Sequence, residues 1–347
     1  MVKGKEVFVG LEDSKKTWKL AVRCEGMVIH QVSMETNYRT LIGYLRHKFP
    51  ECTIHLIYEA GFKGFNLHDT LTEDGIDCVV MPPHLVTGPK VGKVKTDKRD
   101  ALRLAYILEH HDFKEGCHVP DKERREDRQI SRTLAGIQKD IIRTRNRIRK
   151  ALDFHGIEVS FSDRWGRTEY RALKELTVSE PLKTTLDILL TLLEQLWAHQ
   201  KTLRDALRTL CRKERYKKAF TLAMSLPGIG WYTAIRLVLE FGEDLSHFSS
   251  GKKIASFVGL TCSEHSTGET EHKGRITGMG SGLIRSALVE SSWIAVRKDP
   301  ALLAKFMRVW KGRGSKKKAI VAVARVLIVR FRACLVTGTP YVIGTVR

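Results

Sequence analysis

KEVFVGLEDSKKTWKLAVRCEGMVIHQVSM, residues 5–34, decides how the first third of this 347-residue chain folds. KEVFVGLE (5–12) is a short apolar run ending at a turn, the pattern of a buried strand. TWKLAVR (17–23) alternates, and GMVIHQVSM (26–34) follows as a third strand, so the segment reads as a meander. Beyond it, helix and strand patterns take turns. Leu41, Tyr44, Leu45 and Lys48 predict a helix over 37–48, and CTIHLIYEA (52–60) a strand. FNLHDTLTEDG (65–75) is a helix stopped by Gly75, and IDCVVMPP (76–83) is a strand closed by two prolines. TDKRDALRLAYILEHH (96–111) is a helix with Thr96 as N-cap. A meander followed by alternating elements predicts a mixed α/β sheet.

Three acidic stretches punctuate this domain: GLEDSK (10–15), YEAG (58–61) and KTDKRDA (95–101). Glu12 falls at the end of the first strand and Glu59 near the end of the fourth, where ligands collect in open α/β sheets. Asp97 and Asp100 are three apart in the first turn of a helix and share a face. Four acids from three elements converge only if a cation offsets their repulsion. Oxygen-only ligands suit magnesium or manganese, and two such ions activate a nucleophile and stabilise a leaving oxygen in phosphodiester cleavage. The plainer alternative is that Asp97 and Asp100 only favour a helix start.

The surrounding chain is basic. Sixty Lys and Arg against 39 Asp and Glu leave a net charge of +21. An excess of this size favours a polyanionic partner held through its phosphates. Hydrophobic content of 42% is ample for buried cores. The seven cysteines are scattered and never form a CxxC pair, which predicts a reduced compartment without a disulfide framework or zinc site. MVKGKEVFVG lacks the apolar core of a signal peptide, and AIVAVARVLIVRF (319–331) is too short and Arg-broken to span a bilayer. These features predict a cytoplasmic protein with no membrane partner.

Positions 130, 134, 137, 141, 144, 148 and 151 make a 4-3 seam, with Arg143, Arg145, Arg147, Arg149 and Lys150 loading its far end. Leu182, Leu186, Leu189, Leu193, Leu196, Leu203, Leu207 and Leu210 make a second seam, with Pro181 near its start. The pair predicts a long helical hairpin, or a coiled coil between subunits, with Arg143 and Arg147 reaching phosphates or merely solvated.

SLPGIGWYTAIRLVLEFGE (225–243) reads as helix, tight turn and helix. Gly228 and Gly230 in that turn expose backbone N–H groups, a phosphate grip of the helix-hairpin-helix type. Ser266, Thr267 and Gly268 form a small polar loop able to present a hydroxyl nucleophile, with Lys273, Arg275 and Arg285 to meet phosphate charge. RVWKGRGSKKKA (308–319) reads as a basic loop in which Lys316 and Lys317 suit phosphates.

Together these stretches resemble the insertion-sequence 110 family of DNA transposases, including its insertion-sequence 1111 subgroup. YEAGFKGFNLHDTL and KVKTDKRDALRLA carry the likeness in the first domain. LPGIG, GLTCSEHSTGE and GRITGMGSGLIRSALVESSW carry it in the last. The resemblance implies a multidomain α/β plus α architecture. Residues 1–120 would be a RuvC-like, DEDD-type ribonuclease H fold, 121–215 a helical hairpin or coiled coil, and 216–347 a mainly helical transposase domain. It implies Glu59, Asp97 and Asp100 as metal ligands. Glu12 stands where the family usually has Asp in GIDVSK, with Asp13 as the fallback. It also implies a serine nucleophile linked covalently to DNA. Family loops often read Ser-Ser-Gly, so strict spacing points to Thr267, and the less hindered primary hydroxyl points to Ser266.

The implied partners are double-stranded DNA at the element ends and target, and a structured non-coding bridge RNA that specifies them by base pairing. A homo-oligomer, from dimer to tetramer, would join the metal domain of one subunit to the serine domain of another in a bacterial or archaeal cytosol. Two other readings stay open: a metal-dependent junction nuclease that uses water and forms no covalent adduct, and a non-catalytic nucleic-acid-binding protein.

Overall fold

The computed structural model describes residues 3–83, 96–113, 116–159, 161, 165–264 and 273–344. The chain divides into two compact units, Met1–Val119 and Pro120–Arg347.

The first unit is built on β1 (Glu6–Asp13), β2 (Thr17–Cys24), β3 (Met27–Glu35), β4 (Thr53–Glu59) and β5 (Asp77–Met81), in the sheet order β3-β2-β1-β4-β5. β1, β2 and β3 are antiparallel neighbours, whereas β4 runs parallel to β1 and β5 parallel to β4. The β2–β3 turn is Glu25-Gly26, both with positive φ (49° and 77°), the backbone that keeps a two-residue hairpin in step with strand twist. Helices α1 (Tyr38–Lys48) and α2 (Asn66–Glu73) supply the parallel crossovers, and α3 (Asp97–Glu109) follows β5. Asn37 caps α1 by accepting from the Arg39 backbone N at 2.9 Å. Alternation along β1 sends Val7, Val9 and Leu11 into a core with Leu41, Leu45, Leu67 and Leu71. Ile57 and Met81 pack instead against Leu104, Ile107 and Leu108 of α3. This mixed sheet with helices is consistent with a ribonuclease H-like domain.

The second unit contains α4 (Lys122–Phe154), α5 (Arg167–Lys174), α6 (Glu180–Arg212), α7 (Glu214–Met224), α8 (Trp231–Phe241) and α9 (Gly251–Phe257). A small hairpin follows, β6 (Cys262–Glu264) and β7 (Lys273–Ile276), then α10 (Gly282–Lys298), α11 (Pro300–Arg313) and α12 (Lys316–Thr337). At 33 residues each, α4 and α6 are roughly 50 Å long and pack on one another as a hairpin within the chain. Ile141, Ile148 and Leu152 meet Leu182, Leu186, Leu190 and Leu193, so the buried rows shift from Ala151 to Leu152 and from Leu189 to Leu190. A 3.6-residue helix does not keep strictly to a heptad, so single positions of the two rows differ by one from the predicted seams.

Two expectations change here. No separate domain ends at residue 215: Leu134, Leu207 and Leu210 of the hairpin share one core with Tyr216, Leu237, Leu288 and Leu327. The base of the hairpin is therefore part of the C-terminal core. The stretch 308–319 is also not a loop. α11 runs to Arg313, Gly314 turns the chain at φ 63°, and α12 begins at Lys316 under the Ser315 cap. Among the described residues no helix is long and apolar enough to cross a membrane.

Candidate active site

Three contacts fix how α3 lies on the sheet. Gly10 of β1 faces the helix so closely that a Cβ there would stand 2.0 Å from the Ala101 carbonyl oxygen and 2.3 Å from the Ala105 N. Ala21, the cross-strand partner of Gly10, packs with the same two alanines. Near the far end of the helix, Glu109 pairs with Arg23, the partner of Phe8, both almost fully buried. Glu109 thus lies level with the start of β1 and Ala101 with its middle, so α3 runs antiparallel to β1. Its first turn, with Asp97 and Asp100, points to the strand's C-terminal end. Glu12 is two residues past Gly10, about 7 Å along the strand. Asp97 is four residues before Ala101, about 6 Å along the helix.

Alternation selects which acids face the helix. Gly10 faces α3, so Glu12 does too, and Leu11 and Asp13 face the opposite core. Ile57 packs on α3, so Glu59, two residues on, shares that face. β1 and β4 are in register at Leu11↔Tyr58, which makes Glu12 and Glu59 neighbours on parallel strand ends. Asp13 is engaged elsewhere. Its side chain, 4% exposed, accepts from Trp18 Nε1 at 2.5 Å and from Lys63 Nζ at 2.7 Å. The Lys63 ammonium also lies 4.9 Å from the Trp18 ring centre. This ion pair holds the Asp13 side chain on the face away from α3. The sequence reading missed it because a lysine fifty positions away carries no local signal.

Thr96 caps α3 by accepting from the Arg99 N, so Asp97 and Asp100 sit at the positive end of the helix dipole. Asp97 is exposed; Glu12, Glu59 and Asp100 are half-buried, and each of those three is engaged by a further interaction. Among the described residues no three His, Cys, Asp or Glu side chains are gathered as a ready metal site. The donor set itself, oxygen only and on one face at one end of the sheet, fits a hard divalent cation.

In the second unit, Ser266 and Thr267 lie outside the described residues, between β6 and β7. The hairpin that carries them is pinned at its neck by the Glu264↔Lys273 pairing, and Ser263 Oγ donates to the Arg275 carbonyl at 3.2 Å. Arg275 is exposed. Arg285 has a structural task instead. Its Nη1 donates to the carbonyls of Val258 (2.7 Å) and Met279 (3.1 Å), and its Nη2 to that of Gly278 (3.2 Å). Those donors tie a loop together and are not presented to a phosphate.

Gly228 and Gly230 also divide. Gly228 has φ 77°, and a Cβ on it would stand 2.2 Å from the Ser291 carbonyl oxygen, so it docks the turn onto α10. Gly230 caps α8, is exposed, and has open space over its Cα. Of the five basic residues ending the α4 seam, Arg145 and Arg149 lie 5.6 and 5.9 Å from the Trp165 ring centre. Arg143 and Arg147 are exposed, with Arg143 bonded to Asp140 at 3.0 Å. Lys317 is exposed, and Lys316 stands 4.8 Å from the Trp310 ring centre. A further basic cluster, Arg204, Arg208 and Arg236, escaped the sequence reading. Its signal was the i,i+4 spacing of Arg204 with Arg208 and of Tyr232 with Arg236.

The family matches fall in both units, the first running past Val119 into α4. Residues 9–157 match the DEDD transposase model of the IS110 type, and residues 221–308 match the model described as transposase IS116/IS110/IS902 family. A Sinorhizobium fredii protein classed with the transposases, y4rJ, is 29% identical, the alignment covering 93% of this chain and 90% of the relative. The transposase for insertion sequence element IS1533 of Leptospira borgpetersenii is 24% identical over 75% of this chain and 76% of its own. The pilin gene-inverting protein of Moraxella bovis is 32% identical over 38% of this chain and 41% of its own. With both family models matched in order, this chain belongs to the IS110 family of transposases.

Proposed function

We propose that this transposase cuts and rejoins DNA through a covalent serine-type intermediate, with Glu12, Glu59, Asp97 and Asp100 as the acids that hold divalent metal. The observation that carries the reading is the placement of Glu12 and Glu59 on neighbouring parallel strand ends, on the face where α3 begins with Asp97 and Asp100. Magnesium or manganese, when bound there, supplies a Lewis acid for phosphate oxygens. Glu12 and Glu59 bind from the sheet, and Asp97 and Asp100 from the helix start. The Asp13–Lys63 pair and the Gly10–Ala101 contact hold these elements in place.

The hydroxyl of Ser266 or Thr267 attacks a DNA phosphorus. Its oxygen forms the new phosphoester as the bond to the leaving deoxyribose oxygen breaks, and its proton ends on that oxygen. One ester replaces another, so the link is reversible and needs no external energy source. The net charge of +21 supports binding of both double-stranded DNA and a structured guide RNA, with base pairing rather than side chains reading sequence. A homo-oligomer is the assembly that the reading expects.

The test uses the full chain with its element's non-coding RNA and a circular donor. Strand exchange should require magnesium, and a denaturing gel should trap a protein–DNA adduct. Full recombination by a Ser266→Ala/Thr267→Ala double variant would overturn the covalent step. Cleavage without any adduct would establish the water-using nuclease instead.

A further inference from the structure

Arg236 lies on α8, one turn after Tyr232, and is only 5% exposed. Its Nη2 donates to the Tyr232 hydroxyl, and its guanidinium carbon stands 4.2 Å from that ring's centre. Its Nε is buried without an acceptor. Glu240, the next acid along α8, is committed to Arg132 at 2.8 Å and Arg128 at 3.8 Å. Among the described residues no carboxylate comes within ion-pair distance of Arg236 or Arg204. A guanidinium taken out of water without a counter-charge is costly, and an anion beside it removes that cost.

The neighbours of Arg236 repeat the pattern. Arg204 and Arg208 of α6 each place a guanidinium carbon 5.3 Å from the Trp231 ring centre. Trp231 in turn lies 5.7 Å from Tyr232, centre to centre. Three guanidiniums therefore crowd a two-ring platform, graded from buried (Arg236) through half-buried (Arg204) to exposed (Arg208). The one acid at the cluster, Asp205, holds Arg208 at 3.5 Å and is itself exposed. The platform opens α8 directly after the Pro227-Gly228-Ile229-Gly230 turn, where Gly230 leaves the helix start bare. Two positive sources, the arginines and the helix N-terminus, meet at one place. Each ring has at least one guanidinium over it, so the platform presents fixed positive charge and suits the phosphate backbone of a duplex.

We propose that Arg204, Arg208 and Arg236 bind backbone phosphates of double-stranded DNA beside the start of α8. This rests on the reading of the chain as a DNA-acting transposase and names the surface by which the second unit grips the duplex. Fork-shaped guanidiniums donate to two phosphate oxygens at once, and each of the three lies over an aromatic ring.

The experiment measures binding of the full chain to a labelled mixed-sequence duplex by fluorescence anisotropy across a salt series. An Arg204→Ala/Arg208→Ala double variant should melt as the parent does. It should bind duplex about tenfold to a hundredfold more weakly and lower the slope of log affinity against log salt by about two. Arg236→Lys keeps the charge and loses the fork, and should weaken binding about threefold to tenfold with a smaller change in slope. Unchanged affinity and slope in the double variant overturn the proposal. A loss confined to a structured RNA competitor, with duplex binding intact, overturns it as well. Glu59→Gln separates this result from the catalytic reading: it should bind duplex as the parent does while losing strand exchange. A parent protein that ignores duplex DNA would sink both.

Discussion

Gly10 and Gly228 do similar work in different units, and the difference between them is instructive. Each lacks a side chain because another backbone passes where a Cβ would stand, 2.0 Å from the Ala101 oxygen for Gly10 and 2.2 Å from the Ser291 oxygen for Gly228. Gly228 also needs a left-handed backbone, φ 77°, and Gly10 does not. The first contact brings a helix start bearing acids to the ends of two strands. The second anchors a turn whose neighbours are arginines. In both units a close backbone approach sets where charge gathers. In the sheet that charge is negative, and in the helices it is positive.

The largest effect should come from the acids themselves. Glu59→Gln, Asp97→Asn, Asp100→Asn and Glu12→Gln should each lower strand exchange by about a thousandfold or more, as expected when a metal-held phosphate loses a ligand. Duplex affinity should stay within about twofold of the parent, since none of these residues adds positive charge. Asp13→Asn sharpens the point. It breaks a buried pair with Lys63 and should cost about 2 kcal/mol of unfolding free energy, yet the folded variant should keep most of its activity. A dead but stable Asp13→Asn protein would reverse the assignment of Glu12.

The glycines come next. Gly228→Ala combines overlap with a strained φ and should cost about 4 kcal/mol, against about 2–3 kcal/mol for overlap alone in Gly10→Ala. Urea midpoints measure both. Gly10→Ala should also depress strand exchange beyond its stability loss, because α3 must shift and carry Asp97 and Asp100 with it. Equal costs at the two positions would break the comparison.

The smallest effect concerns acid stability at the start of α4. Arg215 donates to Asp121 at 2.5 Å and to Glu123 at 2.8 Å. The Arg215 hydrogen bond holds the Asp121 carboxyl well below the usual carboxylate range. A depressed folded value stabilises above the unfolded one, so this contribution is full at neutral pH and is lost as pH falls below about 4. Arg215→Met should flatten that fall. About half of the Asp121 side chain is exposed, so the change should stay under about 1 kcal/mol. Acid denaturation followed by circular dichroism reads it.

Much of this was legible in the chain. Alternation in 5–34, the helical spacing of Leu41, Tyr44, Leu45 and Lys48, and the Thr96 cap foretold the sheet unit, because periodic and cap patterns are local. The Leu and Ile rows of α4 and α6 foretold the hairpin for the same reason. Short elements were not legible: β6 and β7 have three and four residues, too few to show a period. The helical 308–313 stretch was hidden by its basic residues and by Gly314, which marks the end of a helix as readily as a loop. Arg285 read as a phosphate ligand because its three carbonyl acceptors are backbone groups that no residue type announces.

By itself the sequence determined which residues alternate, which cap and which carry charge, and so the order of elements and the identity of the acids. Tertiary structure alone decided that Glu12 rather than Asp13 faces α3, that Arg145 and Arg149 lie over rings while Arg143 and Arg147 stay exposed, and that Arg236 is buried without a carboxylate. The reason is that periodicity is a property of neighbours along the chain, whereas face, depth and counter-charge depend on which distant segment packs above a residue.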